Sequence, residues 1–177
     1  MQANSSQNSF FDLAKRRFSV RKFTSQPVEQ EKIDLIINAA YVAPTACNNQ
    51  PQKIYVLNTP GSIERIRKCT VCHFYAPTAI LVCYDKTRCW HREYDNKSSG
   101  DIDASIVTTH MMLEAASIGI GSTWVMHFKP EIVRSEFNLP ANIEPVAILM
   151  MGYAADDAKP YPGHTEFRPL SELVELL

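Results

Sequence analysis

The sequence predicts an α+β fold, and three observations carry that expectation. Residues 29–42 and 101–118 place apolar side chains at helical spacing, whereas 78–84 and 146–153 are continuous apolar runs of strand length. Helices and strands then alternate irregularly, with no internal repeat. No glycine-rich turn of the G-x-G-x-x-G or Walker A type leads from a strand into a helix, which sets aside the usual dinucleotide-fold and P-loop architectures.

Taken in order, residues 9–16 read as a short helix with Phe10, Leu13 and Ala14 on one side. The basic segment that follows, Arg16 to Phe23, alternates as an extended stretch does. In the helix predicted over 29–42, Ile33, Ile36, Ile37, Ala40 and Tyr41 fall at i, i+3, i+4, i+7 and i+8, and Pro44 stops it. Residues 44–52 form a polar, amide-rich loop, 53–58 a strand, and 60–68 a helix with Thr59 as candidate cap. The run 78–84 reads as a central strand. Residues 89–100 show no clear period and read as a loop or a helical lid. The helix at 101–118 has Ile102, Ile106, Leu113 and Ala116 marking its apolar side, and Ser98 with Asp101 resembles a capping box. Gly119 and Gly121 break it. A short strand at 123–126, a helix at 130–137 starting on a proline, and a buried strand at 146–153 complete the core. The stretch 154–169 has three prolines and reads as an extended arm, with a helical turn over 171–177. The expected organisation is one domain over 1–177, with a flexible 1–8 and a C-terminal arm over 154–177.

Length and composition fit that plan. At 177 residues and 45% hydrophobic content, a single domain of this size buries about 70% of its unfolded surface. The net charge of −1 supplies no global field to draw in nucleic acid or an anionic membrane, so neither is an expected partner. The polar start of the chain has no apolar signal-peptide core, and no run of eighteen apolar residues exists to span a bilayer. Five cysteines, an odd number beside a sizeable core, point to reduced thiols and a cytoplasmic setting rather than a disulfide framework.

Several polar segments interrupt the core elements, and each offers what a flat, phosphate-bearing aromatic group needs. In Arg17-Phe18-Ser19-Val20-Arg21, alternate residues of an extended stretch share a face, so two guanidinium forks and a hydroxyl form a phosphate clamp; a solvated basic edge would use the same pattern. In Ala43-Pro44-Thr45-Ala46-Cys47-Asn48-Asn49-Gln50-Pro51, a hydroxyl and three amides match the donors and acceptors along a heteroaromatic edge, although an amide-rich turn satisfying its own backbone reads the same way. In Gly119-Ile120-Gly121-Ser122-Thr123-Trp124-Val125-Met126, the glycines allow close backbone approach, or simply end a helix while Trp124 packs inside. Arg168, in Phe167-Arg168-Pro169-Leu170, adds a distant cation.

With these segments in order, the chain resembles the nitroreductase family. The family's Arg-x-Ser-x-Arg/Lys-x-Phe run corresponds to Arg17 through Phe23, its Ala-Pro-Ser-Ala-x-Asn-x-Gln-Pro-Trp run to Ala43 through Gln52, and its helix leading to Gly-Leu-Gly-x-x-Trp to Ile102-Asp103-Ala104 through Trp124. The late basic-Pro-Leu element corresponds to Arg168-Pro169-Leu170. The departures are Gln52 in place of Trp, Thr45 in place of Ser, and Cys47 where Gly is frequent. The resemblance implies a three-layer fold with a central, mainly antiparallel sheet flanked by helices, and a C-terminal arm extending onto the partner of a homodimer. It implies FMN, with Arg17, Phe18, Ser19, Arg21 and Arg168 toward the phosphate and ribityl end. Pro44, Thr45, Ala46 and Asn48 of the other protomer would line the ring, Gln50 would stand at the ring edge, and Trp124, Val125 and Met126 beside the flavin. The implied activity is ping-pong transfer from NADH or NADPH to a small acceptor such as a nitroaromatic or quinone. No side chain is an obligatory acid or base, because the flavin carries the chemistry. The alternatives within the fold are a flavin-binding homodimer without turnover, and a dehydrogenase or dehalogenase with another acceptor.

Two motifs outside that pattern point elsewhere. Cys69-Thr70-Val71-Cys72-His73 matches the C-x-x-C-H haem-attachment pattern, which belongs to exported proteins. Cys69, Cys72, Cys89 and His91 have zinc-ligand residue types, although the spacing of the last two is tight for one metal, and structural thiols are the expectation. His110 and His127 read as packed or solvent-bridged.

Overall fold

The computed structural model of the chain describes residues 10–177, so the 1–8 segment expected to be flexible lies outside it. The core is a four-stranded sheet in the order β1-β2-β4-β3, built from β1 (Gln52–Leu57), β2 (Thr78–Asp85), β3 (Gly121–Val125) and β4 (Ile143–Gly152). All three pairings are antiparallel. β2 and β4 occupy the middle and are covered on both faces, which explains why their sequences are continuous apolar runs rather than alternating ones.

Helices cover the two faces in separate layers. On one side, α2 (Gln30–Tyr41) and α4 (Gly100–Ser117) pack over Ile80, Val82, Leu149 and Met151. On the other, α3 (Pro60–Cys69) and α5 (Pro130–Phe137) pack over Ala79, Leu81, Ile148 and Met150. The alternation of β2 and β4 residues between the two clusters is the period-2 geometry of a strand. A three-layer α+β fold is therefore the observed architecture.

Local signals set most boundaries. Thr59 caps α3 by accepting from the Ser62 amide at 3.3 Å, while Ser62 reciprocates toward the Thr59 amide at 3.1 Å. α4 ends in a Schellman turn: Gly119 takes a left-handed φ of +79°, and the Ile120 amide donates back to the Ala115 carbonyl at 2.8 Å. In α2, Ile33, Ile36 and Ala40 are buried as the spacing predicts; the two isoleucines each contribute roughly 1.5–3 kcal/mol.

Three expectations are corrected. Tyr41, placed on the α2 stripe, is 77% exposed at the last residue of the helix, although the adjacent Ala40 is buried. On α4 the buried face consists of Asp103, Ala104, Val107, Thr108, Met111 and Ala115, whereas Ile102 is 53% exposed. The helix is apolar on several sides, so periodicity alone selects no single face, and the buried polar groups are satisfied: Thr108 Oγ1 donates to the Ala104 carbonyl at 2.7 Å. The Ser98–Asp101 capping box does not form. Ser99 is the cap residue and makes no side-chain cap bond, while Ser98 Oγ accepts from the Gly100 amide at 3.1 Å.

Residues 89–99 form an irregular loop closed by an antiparallel bridge between His91 and Ser98 and by the Arg92–Asp95 ion pair, not a helix. The 154–169 stretch is extended apart from a turn at 155–158 and a 3-10 turn at Pro162–Thr165, and α6 (Leu170–Leu173) follows it. His164 touches the chain's own N-terminal region, with Nε2 3.2 Å from the Lys15 carbonyl and its ring edge-on to Phe18. Beyond it Phe167, Leu170, Leu173 and Val174 are exposed.

Candidate functional site

The extended segment after α1 (Phe10–Arg16) lies against the start of β3. Ser19 and Ser122 form a parallel bridge, and the Val20 amide donates to the Ser122 carbonyl at 2.9 Å. Two polar segments a hundred residues apart thereby become the walls of one cleft of about 250 Å³. Its lining includes Arg16, Arg17 and Phe18 from the first segment, and Gly119, Gly121 and Ser122 from the second. Gly121 is required by this approach: a Cβ there would stand 2.8 Å from Val20 Cγ2.

The few polar groups of this mainly apolar cleft are unsatisfied. Among the described residues, neither Arg16 nor Arg17 has a side-chain hydrogen bond or ion pair. Ser122 is 3% exposed, yet its hydroxyl has no partner, and Trp124 Nε1, two residues along the same strand face, is also buried and unpartnered. A buried polar atom without a partner costs about 1–3 kcal/mol, so such atoms mark where a ligand or ordered water completes the structure. Free guanidinium forks beside an unpaired hydroxyl fit an oxygen-rich anion such as the phosphate and ribityl portion of a flavin nucleotide.

The amide-rich segment sits elsewhere. Its backbone turns tightly through a 3-10 helix at Ala46–Asn48, with Cys47, Asn48 and Gln50 all left-handed at φ of 51°, 53° and 49°. Non-glycine residues there are strained by about 1–3 kcal/mol each and persist only where the surroundings impose it. Here the restraints are visible. The Gln50 amide donates to Thr45 Oγ1 at 3.0 Å, Gln50 Nε2 donates to Asn48 Oδ1 at 2.9 Å, and the Ala46 amide donates to Asp103 Oδ1 at 2.9 Å. Asp103 is 2% exposed and also accepts from Ser99 Oγ at 2.7 Å. Asp103, in the Ile102-Asp103-Ala104 run, is the buried peg of this loop, a role its place in that run does not announce. Nothing in the sequence separates it from the neighbouring Asp101, which is exposed. Asn48, Gln50 and Pro44 present themselves on the surface, and Ala46 lines a recess with Trp90 and Ile102 that is separate from the arginine cleft.

Of the expected site residues, then, the fold brings Arg17, Phe18 and Ser19 together with the Gly119–Ser122 turn. It holds Pro44, Thr45, Ala46, Asn48 and Gln50 as one loop, of which Ala46 lines another recess. Arg21 is turned toward a neighbouring groove and donates to the Ser19 carbonyl at 3.3 Å. Trp124 is half-buried against the α4 layer, Val125 is buried in the opposite layer, and Met126 is 68% exposed at the strand end. Arg168 is exposed and pairs with Glu172 at 3.1 Å. Arg16 and Ser122 were not singled out by sequence, and the free hydroxyl of Ser122 became recognisable only once the Val20–Ser122 pairing was known.

The cysteines do not converge. Cys83 and Cys69 are buried, and burial pushes their thiols up to about 12 and about 11, while Cys47 is exposed. Among the described residues no group of three or more His, Cys, Asp or Glu side chains is placed to hold a metal ion, and no helix is long and apolar enough to cross a membrane.

The sheet order and the two helical layers define a three-layer α+β protein of the kind the sequence motifs imply. The Nitroreductase family model matches residues 14–76 and 72–153, and the chain belongs to that family of oxidoreductases. Among solved structures, a nitroreductase family protein from Clostridium difficile 630 superimposes with a TM-score of 0.87 at 44% identity, covering 92% of this chain and 95% of the other. A relative from Methanothermobacter thermautotrophicus, provisionally named an NADH dehydrogenase/NAD(P)H nitroreductase, is 30% identical over 155 residues, 81% of this chain and 76% of its own length. The FMN reductase [NAD(P)H] of Bacillus subtilis is 25% identical over 162 residues, 81% of this chain and 65% of its own.

Proposed function

We propose that the chain is one protomer of a homodimeric, FMN-dependent oxidoreductase that passes electrons from NAD(P)H to a small organic acceptor, such as a nitroaromatic or quinone, by a ping-pong cycle. The observation that carries this reading is the cleft between 16–20 and 119–122, with its unpaired Arg16 and Arg17 and the buried, unpartnered Ser122 hydroxyl. The names of the relatives support the general chemistry.

When bound, FMN supplies the two-electron chemistry, and the protein supplies binding, orientation and electrostatics. Arg17 and Arg21 neutralise the phosphate end, Ser19 and Phe18 border the ribityl chain, and Arg168 reaches the phosphate from the arm. Ala46 of the Thr45–Gln50 loop lines a different recess of its own protomer, which supports a site that combines the cleft of one copy with the loop of another. Pro44, Thr45, Ala46 and Asn48 of the partner then cover the ring face, and Gln50 stands at the ring edge. Trp124 backs the main chain of Val125 and Met126 beside the ring. The cations and N–H donors stabilise negative charge on the reduced ring, and no side chain serves as an obligatory acid or base. The exposed Phe167, Leu170 and Leu173 of the arm, and Ile102 on α4, are the apolar surfaces that a second copy buries.

The test is occupancy followed by turnover. The double variant Arg17→Ala/Arg21→Ala should lose most of its FMN while keeping its fold by circular dichroism, and unchanged occupancy contradicts the assignment. Flavin-loaded wild type should oxidise NAD(P)H with an added quinone and give parallel double-reciprocal lines; absence of turnover would leave a flavin-binding protein only.

A further inference from the structure

β1 is an edge strand, and its beginning meets the end of β2 and the start of β4 around a recess of about 260 Å³. Gln52 stands opposite Tyr84, and Asp85 opposite Ile143, so three strands fix its walls. The lining includes Gln52, Lys53, Asp85, Arg88, Asn142 and Ile143. We propose that this recess binds a free α-amino acid, whose carboxylate lies on Arg88 and Lys53 and whose ammonium lies between Asp85 and Gln52. The recess shares no residue with the cleft at 16–20 and 119–122, so the inference goes beyond the flavin-dependent reading and stands without it.

Charge is the first argument. Lys53 and Arg88 have no side-chain hydrogen bond or ion pair among the described residues, while the adjacent Lys86 is spent on Glu144 at 3.6 Å. Asp85 Oδ1 accepts from the Thr87 amide at 2.9 Å, from Thr87 Oγ1 at 2.7 Å and from Asn142 Nδ2 at 2.9 Å. Its Oδ2 accepts nothing from the described residues. Hydrogen bonds from Thr87 and Asn142, with Arg88 nearby, hold the Asp85 carboxyl below its ordinary value, so the group is charged. A carboxylate and two cations thus line one recess without pairing to one another. A simple anion would meet the cations and be repelled by Asp85, and a simple cation the reverse. A zwitterion answers both, with charge-assisted hydrogen bonds at each end.

An unmet acceptor is the second argument. Gln52 Oε1 is buried and has no hydrogen-bond partner among the described residues. Leaving a buried acceptor unpaired is costly, so it marks where a donor completes the structure. A ligand ammonium has three N–H donors, enough for both Gln52 Oε1 and Asp85 Oδ2. Gln52 is also where the sequence departs from the family's run, and an indole in its place would offer a donor and no acceptor. The walls are formed in advance. The Asp85 amide donates to the Pro51 carbonyl at 2.8 Å, the Lys86 amide to the Asn142 carbonyl at 2.9 Å, and the Arg88 amide to the Asp85 carbonyl at 3.1 Å. Little ordering is therefore required on binding. Pro51, Pro140 and Ile143 leave an apolar side for the ligand's own side chain.

Thermal unfolding of the full chain with each standard amino acid in turn, at about 10 mM, tests the proposal, and at least one should raise the midpoint. Calorimetry with the most effective one should give a dissociation constant below about 1 mM. Its amide, which lacks the carboxylate, and its deaminated acid, which lacks the ammonium, should each bind at least tenfold more weakly. Arg88→Ala should weaken binding at least tenfold and Arg88→Lys less, with circular dichroism unchanged. Gln52→Leu should also weaken binding about tenfold, yet raise the midpoint of the unliganded protein by removing the unpartnered carbonyl. Failure of every amino acid to raise the midpoint, equally tight binding of the amide or the deaminated acid, or unchanged affinity in Arg88→Ala or Gln52→Leu overturns the proposal. A colourless protein that meets these expectations would defeat the flavin reading and leave this site standing, and a flavin-loaded protein that fails them would do the reverse.

Discussion

Asp103 is the residue whose removal should reveal how the amide loop is held. Its carboxylate is buried and accepts two hydrogen bonds, from the Ala46 amide at 2.9 Å and from Ser99 Oγ at 2.7 Å. Hydrogen bonds to a charged acceptor contribute about 1.5–3 kcal/mol each, so Asp103→Ala forfeits roughly 3–6 kcal/mol in the unrelaxed structure. The loop then relaxes: Cys47, Asn48 and Gln50 are left-handed, and the release of part of that strain, about 1–3 kcal/mol per residue, offsets some of the loss. A net destabilisation of about 3 kcal/mol follows, a large share of the ~5–15 kcal/mol that a domain possesses. In urea, with a slope of ~2 kcal/mol/M, the apoprotein midpoint should fall by roughly 1.5 M at an unchanged slope. Asp103→Asn keeps an oxygen facing Ala46 and should lose about half as much. Amide exchange at Ala46 should accelerate in both variants. A midpoint for Asp103→Ala within ~0.5 kcal/mol of wild type, or unaltered exchange at Ala46, would refute the reasoning.

Other consequences follow from the same geometry. Gly121→Ala places a Cβ 2.8 Å from Val20 Cγ2 and 3.2 Å from the Gly152 carbonyl, and should weaken FMN binding at least tenfold by prising the 17–20 segment from β3, read by fluorescence titration. Gly100→Ala brings a Cβ within 2.3 Å of the buried Tyr84 ring and should cost about 1–3 kcal/mol by overpacking, read as a lowered thermal midpoint. In the apoprotein a thiol reagent should modify exposed Cys47 rapidly and leave Cys69 and Cys83 silent until unfolding; FMN should protect Cys47 if its loop covers the ring. For Cys83, whose folded thiol is raised to about 12 from an ordinary 9.0, the unfolded chain releases its proton first. Its contribution to stability is therefore intact below about pH 9 and declines as pH rises from there toward 12. Cys83→Ala should flatten the alkaline limb of a stability–pH curve, and an unchanged limb would contradict the assignment.

Much of this fold could be read from residues alone because the responsible interactions are local. The Thr59 cap, the α2 stripe of Ile33, Ile36 and Ala40, the glycine that ends α4 and the apolar runs of β2 and β4 need only near neighbours in sequence. The α4 face was not legible. Ile102 and Ile106 are as apolar as the residues that lie inside, and the burial of Asp103 and Thr108 depends on partners that spacing does not reveal. The same holds for the site. The residue types of the arginine and glycine segments were recognisable, but their meeting in one cleft depends on the long-range backbone pairing of Ser19 and Val20 with Ser122. That Arg21 faces a second groove, and that a strained turn at Phe74 and Tyr75 shapes it, follow from dihedral angles that a sequence does not display.

The central claim is that FMN is held between two copies of this chain. Sedimentation velocity of the FMN-supplemented protein, followed at a flavin-absorbing wavelength, measures both parts at once. The account predicts that the flavin signal travels with a species of twice the 20.0 kDa chain mass, at one flavin per chain. A protein that sediments as a monomer while the flavin stays with the solvent would contradict it.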